Sequence, residues 1–378
     1  MGRYTLGDNV RKLVTIQKIV ALYPIKGADF IETAQVLGWS LIVKKGEFKK
    51  GDLCVFFEID SFLPVDSKYE FLGKPKNYLG KPGHRLKTIK MRGVISQGLA
   101  LPYDLFTQSP DVAFIEGEDW TEHLGVVKYD IDLVKGVQGS SPKTGDQAGR
   151  FPSFIPKTDE ERIQNLPHYF SQYKDMLWEE TLKLDGSSCT MYSVEGKSTW
   201  IQKALMWLGF DINVKSKFGV CSRNIDLKDP SEGVPIGQRK TSNFWAAAVK
   251  YNIAKTLPTG YAVQGELIAP NIQSNHEKVD DVEFHVFNIY DIRSKRNLTP
   301  EERMLMEPYM GQAPHIKVIN KAVKIFTECP TLEDLLARVD TASINPGTIS
   351  EGRVYKSTTV HGLSFKVINN KYLLKCED

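Results

Sequence analysis

WEETLKLDGSSCTMYSV, Trp178 to Val194, is the stretch on which the fold of the second half of this chain turns. Apolar and polar residues alternate through it with the period of a half-buried strand. The tetrapeptide K-L-D-G at 183 to 186 then carries the strand end into a turn. A lysine so placed is chemically suggestive: its amine attacks phosphorus or a carbonyl only once its proton is lost, which neighbouring cations or desolvation promote. Gly186 would let the backbone approach a ligand, and Asp185 could hold a metal-bound water. A surface lysine beside a turn fits the same four letters.

Working outward, the 378 residues exceed what one hydrophobic core usually serves, so two domains are expected. Upstream lie β-branched and aromatic runs, LVTIQKIVALYPI (13–25), AQVLGWSLIVKK (34–45) and LCVFFEIDSFLP (53–64), divided by turns such as GEFKKGD. A further β-like stretch, LKTIKMRGVISQGLALP (86–102), completes what reads as a compact barrel over roughly the first 125 residues. KGVQGSSPKTGDQAG (135–149) breaks all periodicity, as linkers do. The expected division is therefore a barrel domain over 1–134, a linker over 135–149 and a second domain over 150–378. In the latter, TDEERIQN (158–165) reads as a helix start capped by Thr158, and TPEERMLM (299–306) and TLEDLLARVD (331–340) as surface helices opening on a cap and acids. The fold class expected is α+β.

Composition is that of a soluble globular protein, 41% hydrophobic and 25% charged. No apolar run approaches the ~18 residues of a membrane span, and the start MGRYTLGDNVRK lacks the apolar core of a signal peptide. An intracellular, cytoplasmic protein is expected, with no membrane partner and no obligate protein partner evident. Five cysteines, widely spaced and without a C-x-x-C pair, indicate neither a disulfide framework nor a zinc site. The net charge of +3 is too small to argue for a polyanion by itself. Its distribution says more: from Phe71 to Tyr103 there are seven basic residues and no acid.

Downstream of Lys183 follow, in order, FGVCSRN (218–224), VQGELIAP (263–270), FHVFNIYDI (284–292), SEGRVYK (350–356) and LSFKVINNKYLLK (363–375). This succession resembles the ordered motifs of the covalent nucleotidyltransferases, the superfamily of ATP-dependent ligases and capping enzymes. Motif I resembles K-L-D-G at 183 to 186, motif III G-E-L at 265 to 267, motif IIIa V-F-N-I at 286 to 289, motif IV E-G-R-V at 351 to 354 and motif V S-F-K-V at 364 to 367. DNA ligases and capping enzymes carry their OB domain after the catalytic one. An OB-type barrel in front, with PKTDEERIQN, S-R-N and the S-F-K-x-x-x-N-K-Y-L-L-K ending, is similar to family-five RNA ligases, which seal 3'-OH/5'-phosphate nicks in duplexes with RNA strands.

The resemblance implies an N-terminal OB-type β-barrel followed by an ATP-grasp-like nucleotidyltransferase domain of antiparallel sheets and helices. It implies ATP and a divalent metal, manganese or magnesium, and a broken or nicked RNA as partner. Lys183 would be the nucleophile that takes AMP, and Asp185, Glu266 and Glu351 the carboxylates holding metal-bound waters. Arg162 matches an arginine used on the departing pyrophosphate; a surface helix salt bridge is its alternative. Arg223 resembles a ribose and phosphate contact. Phe287 would stack on adenine, or belong to the core. Lys366 and Lys371 would complete the cationic cradle. Two departures stand out: Ser188 occupies the position two after the motif I glycine, where relatives carry Arg or Asn, and Ile368 stands where motif V usually has a second lysine, with Lys371 its substitute. Lys74, Lys76, Arg85, Lys87, Lys90 and Arg92 form a positive patch suited to RNA phosphates, and OB domains commonly add aromatics for stacking. A capping-type guanylyltransferase and a non-enzymatic OB-fold RNA-binding protein are the alternatives: the leading OB domain argues against the first, and the second leaves Lys183 without purpose.

Overall fold

The computed structural model describes residues 11–106, 114–130, 147–196, 207, 216–230 and 242–376. Among these, the N-terminal strands form one antiparallel sheet in the order Leu99–Pro102, Leu53–Phe57, Val14–Pro24, Ile31–Val36, Trp39–Lys44. A second sheet runs Val127–Lys128, Ser61–Pro64, Lys81–Arg85, Lys76–Tyr78. The first strand bends the barrel. Its first half pairs with Leu53–Phe57 and its second half with Ile31–Val36, and the register slips between Ile19 and Ala21. An extra residue of this kind kinks a strand and sharpens its twist. Trp39, Phe56, Phe57 and Ile16 are fully buried inside.

Two of the apolar runs are each cut in two. AQVLGWSLIVKK contains a hairpin turning at Leu37, whose φ is 51°, and LCVFFEIDSFLP leaves one sheet at Phe57 and enters the other at Ser61, with Asp60 at φ 67°. Hydrophobic periodicity carries no mark of a left-handed residue.

In the second half, one sheet orders Gln147–Arg150, Ile225–Leu227, Ser216–Cys221, Ser187–Glu195, Tyr261–Ile268, Glu283–Asp291, Arg296–Asn297, and a smaller one Val318–Val323, Trp178–Lys183, Gly352–Ser357, Ser364–Ile368. Helix Asn243–Lys250 packs Phe244, Trp245, Ala247 and Ala248 on the larger sheet, and an aromatic cluster of Trp178, Phe326, Tyr355 and Phe365 fills the smaller one. Thr299 and Thr331 cap helices Pro300–Leu305 and Leu332–Arg338 through full capping boxes with Glu302 and Asp334, as their sequences foretold.

TDEERIQN is not a helix. Only Ile163–Asn165 makes a 3-10 turn, and Arg162 is extended, φ −75° and ψ 138°. The reason is a tertiary partner: the Lys366 N–H donates to the Glu161 carbonyl at 2.8 Å and the backbones of Arg162 and Lys366 form a parallel β-bridge, so this segment runs alongside strand Ser364–Ile368 instead of coiling. Of the expected linker, 135–146 lies outside the described residues, and Gln147 already begins the edge strand of the larger sheet.

The two halves share a seam. Ile368 and Leu373, from the last strand and the helix Asn370–Cys376, pack into the N-terminal cluster with Trp39, Phe56 and Ile59. Gly38 N–H donates to the Gln164 carbonyl at 2.8 Å, and a Cβ on Gly38 would meet Gln164 Cα at 2.9 Å. Among the described residues no helix is long and apolar enough to cross a membrane, and Cys54, Cys189, Cys221 and Cys329 are buried free thiols.

Candidate active site

K-L-D-G is where the chain passes from one sheet to the other. Lys183 is the last residue of a central strand of the smaller sheet, opposite Gly352, and Ser187 opens a central strand of the larger one, opposite Leu267. Leu184, Asp185 and Gly186 make the crossing. Gly186 is required there by packing: a Cβ would lie 2.6 Å from the Leu267 carbonyl oxygen and 2.8 Å from Ile268 Cγ2. The close approach it permits is therefore to the neighbouring strand, which carries Glu266. Gly352 is constrained likewise, since a Cβ would lie 2.1 Å from the Val367 oxygen and φ is +153°. Each sheet thus delivers one acid beside the crossing, Glu266 from the larger and Glu351 from the smaller.

Lys183 Nζ donates to Glu351 Oε2 at 2.6 Å, with side chains 24% and 15% exposed. Burial by itself would lower the lysine's pKa, but Glu351, Glu266 and Asp185 outweigh it and hold the amine above its ordinary value. The acids respond in the opposite sense: burial, reinforced by Glu351, pushes Asp185 up to about 7, and burial, against the pull of Lys183, pushes Glu266 up to about 8. Three carboxylates around one amine make a donor set that suits an added cation. Among the described residues no three His, Cys, Asp or Glu side chains gather tightly enough to ligate a bare metal ion together. Acids so placed suit a hydrated ion, whose waters they would accept.

Lys183 opens onto a cavity of about 540 Å³. Arg162, Asp185, Gly186, Ser188, Arg223, Glu266, Phe287, Glu351 and Lys366 all line it, although they are spread over some two hundred residues of chain. Lys371 does not. It is 67% exposed and paired at 2.6 Å with Asp340 on the outer surface, because the helix that begins at Asn370 turns Tyr372 and Leu373 toward the cavity and Lys371 away from it. Arg162 is no surface residue either: it is 7% exposed, its Nη2 lies 3.3 Å from Asp60 Oδ2, and its guanidinium sits 5.7 Å from the Trp39 ring.

One wall of the cavity belongs to the N-terminal barrel, through Arg11, Asp60, Arg85, Lys128 and Tyr129. Arg11 bonds Glu58 and Asp60 at 2.6 and 3.3 Å, and Arg85 stacks 4.3 Å over Tyr129. Arg85 thus leaves the basic patch proposed for RNA and joins this wall. Lys74, Lys76, Lys90 and Arg92 are exposed on the barrel and Lys87 is half-buried.

The sequence reading missed Lys356. It lines the cavity, donates from Nζ to the Phe287 carbonyl at 2.6 Å and lies 5.2 Å from the Phe287 ring; burial pushes its amine down to about 8. A signal was present, because strand alternation puts Lys356 on the same side as Val354, two residues earlier. Tyr372 and His276 were missed as well. Tyr372 bonds Asp185 and packs edge-on against His276, 5.2 Å between rings.

Comparison with known proteins bears on this geometry. The family profile described as RNA ligase matches residues 176–368, and an OB-fold domain profile matches residues 13–103. No curated protein matches. Among solved structures, a Naegleria gruberi RNA ligase mutant with ATP and Mn is similar at 34% identity and TM-score 0.79, over 97% of this chain and 100% of that one. Another mutant of the same Naegleria gruberi enzyme, with AMP and Mn, is similar at 35% identity and TM-score 0.79, over 96% and 98% of the two chains.

Proposed function

The chain belongs to the RNA ligase family, and on that premise we propose that it is an ATP-dependent ligase that seals 3'-OH/5'-phosphate breaks in RNA, nicks in duplexes with an RNA 3'-OH strand above all. One observation carries the reading. Lys183 Nζ, 2.6 Å from Glu351, opens into a cavity that also gathers Arg162, Arg223, Lys366 and Phe287.

In the first step Lys183 passes its ammonium proton to Glu351, 2.6 Å away, and the neutral amine attacks the α-phosphorus of ATP: the nitrogen–phosphorus bond forms, the bond to the bridging oxygen breaks, and pyrophosphate leaves. Arg162, Arg223 and Lys366 offset the charge on the phosphates, and Phe287 offers a face for the adenine. A divalent ion, manganese or magnesium, supplies further neutralisation at the transferring phosphate, and Asp185, Glu266 and Glu351 would hold its waters. AMP then passes from Lys183 to the RNA 5'-phosphate, and the RNA 3'-OH displaces it to close the strand. Exposed Lys74, Lys76, Lys90 and Arg92, with Lys87 beside them, form a surface for the nucleic-acid backbone. The setting we assign is the cytoplasm, in keeping with ATP use and buried free thiols.

The test is incubation of the protein and its Lys183→Ala variant with α-phosphate-labelled ATP and manganese, followed by denaturing electrophoresis and a nicked-duplex sealing assay. Label on the wild type alone, with joining of an RNA 3'-OH strand, supports the reading. Equal label on the variant removes Lys183 as nucleophile, and preference for GTP would turn the assignment to capping chemistry.

A further inference from the structure

Asp159 lies among cations on the wall of the cavity. Its Oδ2 is 3.2 Å from Lys128 Nζ and 3.1 Å from Arg223 Nη2, and its Oδ1 is 3.6 Å from Lys366 Nζ. These cations come from three places: Lys128 from the last strand of the N-terminal barrel, Arg223 from the turn between strands Ser216–Cys221 and Ile225–Leu227, and Lys366 from strand Ser364–Ile368. All four residues line the cavity that contains Lys183. Two oxygens shared among ammonium and guanidinium groups form the pattern a phosphoryl group makes with the same donors.

The carboxylate is held well below its usual range; burial alone would raise it, but Lys366, Lys128 and Arg223 outweigh that. It is an anion at any working pH. At 41% exposure its side chain also reaches solvent. Arg223 and Lys366 are also cations that the proposed mechanism assigns to phosphates, so the carboxylate and a bound polyphosphate draw on the same donors.

We propose that Asp159 is a resident counter-ion of the phosphate-binding cations: it holds Lys128, Arg223 and Lys366 together across the domain seam, and it competes with the phosphates of the nucleotide for them. The inference rests on reading the cavity as an ATP site. Asp159 acts through the cations and is a positioning residue. Its consequence is an affinity for triphosphate and pyrophosphate kept lower than the cations alone would give, so that pyrophosphate leaves after AMP transfer. A purely structural clamp has the opposite sign, since removing it would loosen the cations and weaken anion binding.

The experiment uses the full chain and its Asp159→Asn, Asp159→Ser and Asp159→Glu variants. Binding of inorganic pyrophosphate is measured by calorimetry, and KM and kcat for AMP transfer from ATP are measured separately. Asp159→Asn and Asp159→Ser should bind pyrophosphate about tenfold more tightly, the scale of one charge-assisted contact regained, with KM for ATP falling in step and Asp159→Glu remaining at the wild-type values. If neither neutral variant binds pyrophosphate more tightly than wild type, the inference is overturned. A wild type that takes no AMP from ATP would sink the ATP-site reading instead, and the pyrophosphate comparison would stand apart from it.

Discussion

Arg162 of the catalytic half and Asp60 of the N-terminal barrel meet at 3.3 Å, Nη2 to Oδ2, across the seam between them. Asp60 also receives Arg11 at 3.3 Å and faces Arg85 at 3.8 Å. Burial by itself would raise its pKa, yet Arg162, Arg11 and Arg85 hold it below the ordinary value. Such a carboxylate stabilises the fold above its unfolded pKa of about 4, and that contribution is lost as pH falls toward the folded value. Asp60→Ala, which leaves the guanidiniums facing one another, should cost about 3 to 5 kcal/mol at neutral pH. It should also flatten the loss of stability in acid, and urea unfolding at pH 7 and at pH 4 reads both.

Glu351 keeps the Lys183 amine charged in the metal-free protein. Glu351→Gln should therefore lower the lysine's pKa and speed its modification by a small amine-reactive reagent, followed by mass spectrometry at pH 8. The same variant should lose AMP transfer by about a hundredfold, as loss of a group orienting metal-bound water commonly does. Slower modification of the variant would show that Glu351 does not hold the Lys183 amine charged.

Gly186→Ala puts a methyl 2.6 Å from the Leu267 oxygen. Overpacking of this kind costs about 1 to 3 kcal/mol. Because the strain falls on the crossing that places Lys183 and Asp185, AMP transfer should drop by more than thermal stability does.

Lys356→Met exchanges a buried cation for an apolar chain of similar length. The folded pKa of about 8 is below that of an unfolded lysine, so the charged form is disfavoured by folding and stability should rise as pH climbs above 8. The variant should lose this alkaline rise and be no less stable than wild type at neutral pH. Its KM for ATP should increase about tenfold if the amine contacts the nucleotide held on Phe287, a charge-assisted contact being of that order.

Lys371→Ala and Lys366→Ala make an opposed pair. Lys371 is a surface partner of Asp340, and its loss should alter stability by less than about 1 kcal/mol and leave AMP transfer intact. Lys366 is 15% exposed inside the cavity, and its loss should cut AMP transfer severely. Equal activity of the two variants would remove Lys366 from the cradle.

Much of the cavity wall was legible because its residues sit in short motifs whose backbone roles are local. Lys183 ends a strand, Gly186 opens the turn after it, and Glu266 and Glu351 stand in motifs of their own. Lys371 shows where this fails: a lysine near the right place in sequence was assigned to the cradle, but the start of a helix turned it outward. TDEERIQN fails for another reason. Its local preferences favour a helix, and pairing with strand Ser364–Ile368, two hundred residues away, overrides them.

The sequence by itself marked Lys183 and the acids Asp185, Glu266 and Glu351 as residues of one candidate site, and a barrel placed before the second half, because ordered motifs and strand alternation are properties of neighbouring residues. Only the tertiary structure decided that Arg11, Asp60, Arg85 and Lys128 of the barrel form a wall of the same cavity, that Lys356 enters it beside Phe287 while Lys371 stays outside, and that Asp159 lies among the cations. Those facts depend on how separate sheets pack across a seam, where charges far apart in sequence are brought within 4 Å and burial sets which of them stay ionised.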